Sequence, residues 1–90
     1  RAGEGPGGEI FGAIITGVQE YGLFVQLQDF SVEGLIKVNR LRDDHYTLDE
    51  RKRALVGRRT GRVLRMGQRI EVVIEKVDTA MRQLDLAPAQ

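Results

Sequence analysis

The chain lacks cysteine and tryptophan, and it has one histidine, His45, and one serine, Ser31, in 90 residues. Without cysteine there is no disulfide framework and no thiolate metal site, so a small core must hold by apolar packing alone. That composition fits a reducing compartment, and a cytoplasmic location is expected. A single histidine rules out a His-rich metal centre. No apolar run approaches the roughly 20 residues that span a bilayer, so no membrane partner is expected. The opening Arg-Ala-Gly-Glu-Gly-Pro-Gly-Gly has no apolar centre and is not a secretory signal. Residues 1–8 read instead as a flexible linker or cloning remnant. The absence of an initiating Met points to a segment of a longer protein.

A large net charge is also missing: the sum is +1. The distribution is uneven, however. Arg40, Arg42, Arg51, Lys52, Arg53, Arg58, Arg59, Arg62, Arg65 and Arg69 crowd one third of the chain, opposed there by Asp43, Asp44, Asp49 and Glu50. Local sign steers a polyanion more than the total does.

What is present is a run of short apolar segments. Glu9 to Thr16 is β-rich, and Val18 to Gly22 is turn-like, with Gly22 supplying backbone freedom. Leu23, Val25 and Leu27 then alternate with Phe24 and Gln26, so one face of that strand is buried and the other exposed. Gln28 to Val32 is a polar connection. Glu33 to Val38 is a third strand, with Ile36 and Val38 on one face and Leu35 and Lys37 on the other. Arg69 to Val77 is a fourth, with Ile70, Val72 and Ile74 inward. After a turn at Asp78 to Met81, Arg82 to Leu86 is the last, with Leu84 and Leu86 inward, and Pro88 ends it.

Between the third and fourth strands lies a different segment. Thr47-Leu-Asp-Glu50 has the spacing of a helix capping box, which predicts a short helix over about Leu48 to Leu55. Gly57, Gly61 and Gly67 punctuate the basic stretch after it, as a small hairpin or an ordered loop. Tyr46 is expected to pack this segment onto the rest, and Asp49 to hold helix or turn backbone.

Five strands with a helix-and-loop insertion between strands 3 and 4 predict an all-β, five-stranded OB-fold Greek-key barrel. An SH3-like barrel could be written with similar patterns. The domain is expected over 9–87, with the insertion at 42–67 and a tail at 88–90. Exposed rings and cations on a small barrel suit a flexible polyanion, which makes single-stranded nucleic acid the first partner to test.

Residue identity narrows this reading. Phe11-x-Ala13-x-Ile15, Tyr21-Gly-Leu-Phe-Val25, Glu33-Gly-Leu-Ile-Lys-Val38, Val77-Asp78 and Arg82-Gln-Leu84 together resemble the S1 RNA-binding domain, over Gly8 to about Leu86. The insertion, with Asp44-His-Tyr-Thr-Leu-Asp49, Leu55-Val-Gly57, Arg59-Thr-Gly61 and Arg65-Met-Gly67, is similar to the C-terminal S1 domain of the ribonuclease R family. The resemblance implies an RNA-binding OB-fold module, with the Mg²⁺-dependent 3′-to-5′ exoribonuclease domain upstream in the parent chain. It departs from the family at Ala13, where Gly is usual, and at Lys37, where a ring is usual. Lys37 keeps a cation but loses a stacking surface. Asp78 and Arg82 match positions linked to RNA contact in the family.

Base stacking on an aromatic ring is worth roughly 1–3 kcal/mol per base and tolerates any sequence. Tyr21 and Phe24 are the first candidates, because Leu23 and Val25 already define the inward face, and Phe11 is the third. Lys37, Arg82 and the insertion arginines Arg58, Arg59, Arg62 and Arg65 are the candidate phosphate contacts, giving affinity without sequence choice. Asp78 either accepts from a base edge or a 2′-hydroxyl, or holds Arg82 in place.

No catalytic constellation is legible. Ser31, His45 and Asp49 are not arranged as a nucleophilic triad, and the Asp43–Asp44 doublet reads as a solvated loop pair. Gly61 to Gly67 lacks the Lys-Ser/Thr ending of a phosphate-binding loop. The expected function is single-stranded RNA binding with little sequence preference, by a monomeric module that carries no cofactor of its own. The alternatives are a protein-interaction or ribosome-docking module on the same barrel, or an S1 domain of another RNA-processing or translation protein.

Overall fold

The computed structural model describes residues 8–89. The expected linker therefore lies almost wholly outside the described residues. Eight strands are present: β1 (Ile10–Gln19), β2 (Gly22–Leu27), β3 (Glu33–Lys37), β4 (Tyr46–Asp49), β5 (Ala54–Gly57), β6 (Val63–Arg65), β7 (Arg69–Asp78) and β8 (Gln83–Pro88). A single 3-10 turn, Val38–Arg40, follows β3. Among the described residues no helix is long and apolar enough to cross a membrane.

Five strands close a barrel in the order β1-β2-β3-β8-β7. All neighbours are antiparallel except β3 and β8, whose parallel pairing sets Gly34 beside Leu84 and Ile36 beside Leu86. This is the expected OB-fold barrel. Alternation places Leu23, Val25 and Leu27 inside, each at most 2 % exposed, so the outward placement of Phe24 and Gln26 follows from the pleat. Ala13 and Ile15 of β1, Ile36 of β3, Ile70 and Val72 of β7 and Leu86 of β8 complete the interior. A register shift between Ile15 and Gly17 bulges β1 at Thr16, which bends the strand as barrel closure requires. Gly22 opens β2, where a β-carbon would strike the carbonyl oxygen of Ile36. Its role is close approach of two backbones rather than turn freedom.

Two expectations are corrected. Leu48 to Leu55 is not helical. Thr47, Leu48 and Asp49 pair antiparallel with Val56, Leu55 and Ala54, and β6 adds to β5, giving a second, three-stranded sheet. Residues 48 and 55 are seven apart, a spacing that two helical turns and a hairpin with its turn between them both satisfy. The hairpin wins because an isolated helix of eight residues is marginal, whereas the sheet presents Tyr46, Leu48, Leu55 and Leu64 on one face. Leu55 is fully buried there, and Leu64 and Tyr46 nearly so, in the same core as Ile15, Leu23 and Val25. Asp49 holds the turn rather than a helix: its carboxylate accepts from the Lys52 N–H at 3.1 Å. The second correction is at the C-terminus, where Pro88 does not end β8 but pairs with Val72, and the Ala89 N–H donates to the Glu71 carbonyl at 2.8 Å.

The small sheet is tied to the barrel by backbone as well as by packing. The Ile15 N–H donates to the Gln68 carbonyl at 2.9 Å, and the Gly67 N–H to the Ile15 carbonyl at 2.8 Å.

Candidate nucleic-acid interface

Strand register builds the outer face. Across β2 and β3, Phe24 pairs with Leu35, Gln26 with Glu33, and Gly22 with Lys37. Directly opposed residues of an antiparallel pair share a face. The outer surface at this end of the barrel therefore carries Phe24 over a buried Leu35, with Lys37 beside a position that has no side chain. The Phe24 ring lies over Gly17, where a β-carbon would stand 3.4 Å from it. Tyr21, in the β1–β2 turn, meets Phe24 edge to face, with centroids 6.1 Å apart at 88°. Tyr21 is 52 % exposed and Phe24 is half-buried. Tyr21, Phe24 and Lys37 are thus brought together as two rings and a cation around the small floor left by Gly17 and Gly22.

Phe11 is not part of this group. It shares the inward row of Ala13 and Ile15, packs on the edge of the core at the other end of β1, and meets Phe30 edge to face at 5.6 Å. Phe30 is 57 % exposed and was hidden within a segment read as a polar connection. A lone aromatic in a polar turn was the available signal.

The insertion arginines do not form one patch. The Asp44 carboxylate accepts from the backbone N–H groups of His45 (2.7 Å), Arg59 (3.1 Å) and Thr60 (2.7 Å), and from the Thr60 hydroxyl (2.7 Å). The Thr60 backbone and hydroxyl bonds hold its carboxyl far below the usual carboxylate range. Gly57 lies against this clamp, and a β-carbon there would strike the Asp44 carboxylate. Asp43 accepts from the Tyr46 hydroxyl at 2.9 Å and from the Arg62 guanidinium at 3.1 Å. Partial burial pushes the Asp43 carboxyl up, but those two hydrogen bonds outweigh it and hold the group below its ordinary value. Burial, and then the same bond to Asp43, raises Tyr46. The doublet is therefore a structural clamp and not a solvated loop pair. Arg62 is spent on Asp43, and the Arg59 guanidinium on the Asp43 carbonyl at 3.0 Å. Arg58 and Arg65 are exposed on different parts of the small sheet.

Asp78 and Arg82 are brought together at the β7–β8 turn, lining a cleft of about 320 Å³ with Val32, Val77 and Leu84. Asp78 accepts from the Met81 N–H at 3.0 Å. It holds the turn on which Arg82 stands, with φ of 54°, and does not grip Arg82 itself. One cation that sequence reasoning left out of the site is Arg69. Its Nε donates to the Gln28 side-chain oxygen at 3.2 Å, and its guanidinium occupies the space that a side chain at Gly12 would need. Only the cross-strand register, which sets Ile14 beside Arg69, reveals that it lies on the outer face of β1.

Comparison with known proteins fits this arrangement. The S1 RNA binding domain family matches residues 6–87. The chain is 47 % identical over 79 residues to the acetazolamide conferring resistance protein zam of Synechocystis sp., covering 88 % of this chain and 10 % of that protein. It is 51 % identical over 71 residues to ribonuclease R of Aquifex aeolicus, covering 79 % of this chain and 10 % of that protein. The chain thus spans about a tenth of the length of the curated relatives it matches. Among solved structures, Mycoplasma genitalium RNase R in complex with ribose methylated single-stranded RNA superposes with a TM-score of 0.84 at 26 % identity, covering 90 % of this chain and 13 % of that one.

Proposed function

Because the chain belongs to the S1 RNA-binding domain family, we propose that it binds single-stranded RNA on the outer face of β1–β3, with little preference for sequence. The observation that carries this reading is the Tyr21–Phe24 pair, with Tyr21 exposed and Phe24 half-buried, on the face that also carries Lys37. Edge-to-face rings offer a π-surface that any base can use, and the lysine supplies a phosphate partner. Neither group reads a base edge, which is the physical ground for low sequence preference. Asp78 and Arg82 extend the contact at the β7–β8 turn. Arg58 and Arg65 add charge from the small sheet, while Arg59 and Arg62 serve the loop first, and Phe11 supports the barrel end.

The similarity to ribonuclease R, together with an RNA-bound relative of the same fold, supports a role as the substrate-holding module of a cytoplasmic 3′-to-5′ exoribonuclease. Hydrolysis and its Mg²⁺ would belong to the parent's catalytic domain. Weak binding by one module is no obstacle there, since tethering raises the effective RNA concentration.

The test is fluorescence anisotropy of labelled oligo(A) with the isolated chain across a salt series. Binding should weaken steeply with salt, and Phe24→Ala should weaken it by roughly 5- to 150-fold, the loss of one stacked base. No measurable binding at low salt would sink the reading.

A further inference from the structure

We propose a second RNA site: the cleft between the 3-10 turn and the insertion, which receives the phosphates of the same strand after it passes Lys37. The proposal rests on the RNA reading of the β1–β3 face and extends it.

The cleft measures about 950 Å³, and its lining includes Leu41 and Tyr46 with Arg42, Arg58, Asp43 and Asp44. That volume lies at the upper end of the roughly 300–1,000 Å³ typical of ligand clefts. Its floor is apolar, as Leu41 and Tyr46 belong to the core. Its rim carries Arg42, Arg58 and Arg59 against the carboxylates of Asp43 and Asp44, whose oxygens the fold commits to other donors. Asp44 is saturated by four donors from His45, Arg59 and Thr60. Asp43 is taken by Tyr46 and Arg62. No ion pair to Arg42 or Arg58 forms among the described residues, and both are exposed. The two carboxylates line the cleft as well, but their oxygens are engaged by fixed donors, so Arg42 and Arg58 keep no carboxylate partner and stay available to a phosphate.

Continuity with the first site argues for RNA as the occupant. The cleft begins at Val38, the residue after Lys37, and the Val38 N–H donates to the Tyr21 carbonyl at 2.8 Å. One backbone hydrogen bond therefore joins the ring platform to the cleft wall. A strand stacked on Tyr21 and leaving past Lys37 meets Arg42 and Arg58 next, with the exposed His45 on the same rim.

The experiment compares oligo(A) of about four and about twelve nucleotides, the span that single OB-folds cover. Wild-type chain should bind the longer oligomer more tightly. The double variant Arg42→Ala/Arg58→Ala should weaken the longer one about tenfold and lower the magnitude of its salt slope by about 1.4, two single-strand phosphate contacts. It should weaken the shorter one by less than the longer one and leave the melting temperature unchanged, because neither side chain makes an ion pair among the described residues. Phe24→Ala should weaken both lengths. If Phe24→Ala acts as expected while the double variant leaves the long oligomer and its salt slope untouched, the cleft proposal is overturned and the face reading stands. If neither length binds wild type, both fall.

Discussion

Truncating Leu55 tests whether the insertion is part of the barrel or an appendage to it. Leu55 lies on β5, outside the five barrel strands, yet it is fully buried and shares one core with Ile15, Leu23 and Val25. It pairs with Leu48 on one side and Leu64 on the other. Leu55→Ala removes a buried branch and leaves a cavity in the shared core, at a cost of about 2–5 kcal/mol. Against a total of roughly 5–15 kcal/mol for a domain, that is a large share. At about 4–8 °C per kcal/mol for a chain of this size, a central value near 3 kcal/mol lowers the melting temperature by about 12–24 °C. Leu55→Met, which conserves volume, should cost less than about 1.5 kcal/mol and serves as the control. Thermal unfolding followed by circular dichroism gives the shift. Native-state hydrogen exchange shows where it acts: amides of β2 and β3 should lose protection together with those of β5, because one core unfolds as one unit. A variant that kept the barrel amides protected and the main transition in place, with only β4–β6 loosened, would refute the shared core.

The Asp44 clamp sets two further expectations. Gly57→Ala should destabilise the chain and free the Arg58–Thr60 backbone, since the new β-carbon meets the Asp44 carboxylate; unchanged exchange at the Arg59 and Thr60 amides would contradict the clamp. Asp43 and Asp44 have folded values below their unfolded ones, so their contribution is full above the unfolded carboxylate range and is lost as pH falls through the folded values. Tyr46 has the opposite shift, so its contribution is full below the ordinary tyrosine value and lost as pH rises through the raised one. Urea midpoints should therefore be level between about pH 5 and 9 and fall on both sides. Asp44→Asn should flatten the acid limb, and identical acid limbs in both proteins would refute the assignment.

The barrel was legible in the sequence, and the insertion was not, for a physical reason in each case. In β2 the alternation of Leu23, Val25 and Leu27 with Phe24 and Gln26 fixes which side is wet before any partner is known, so the outward ring of Phe24 could be read directly. In the insertion, Thr47 and Glu50 satisfy a capping box by spacing, but the spacing carries no information about the partner strands that override it. The arginines show the same limit for charge. Arg59 and Arg62 both reach Asp43, at its carbonyl 16 positions earlier and at its carboxylate 19 positions earlier, separations at which no local pattern operates. A basic run in sequence therefore states composition, and only the fold decides which of its members remain outward. Arg42, adjacent to two aspartates, is not among the candidate phosphate contacts that the sequence suggests. With Asp43 bound to Tyr46 and Arg62, and Asp44 to the Thr60 loop, Arg42 stays exposed and without an ion pair among the described residues. In any loop where carboxylates serve as backbone acceptors, each keeps its charge but commits its oxygens to fixed donors, so it cannot close onto a neighbouring guanidinium, which stays open to a phosphate.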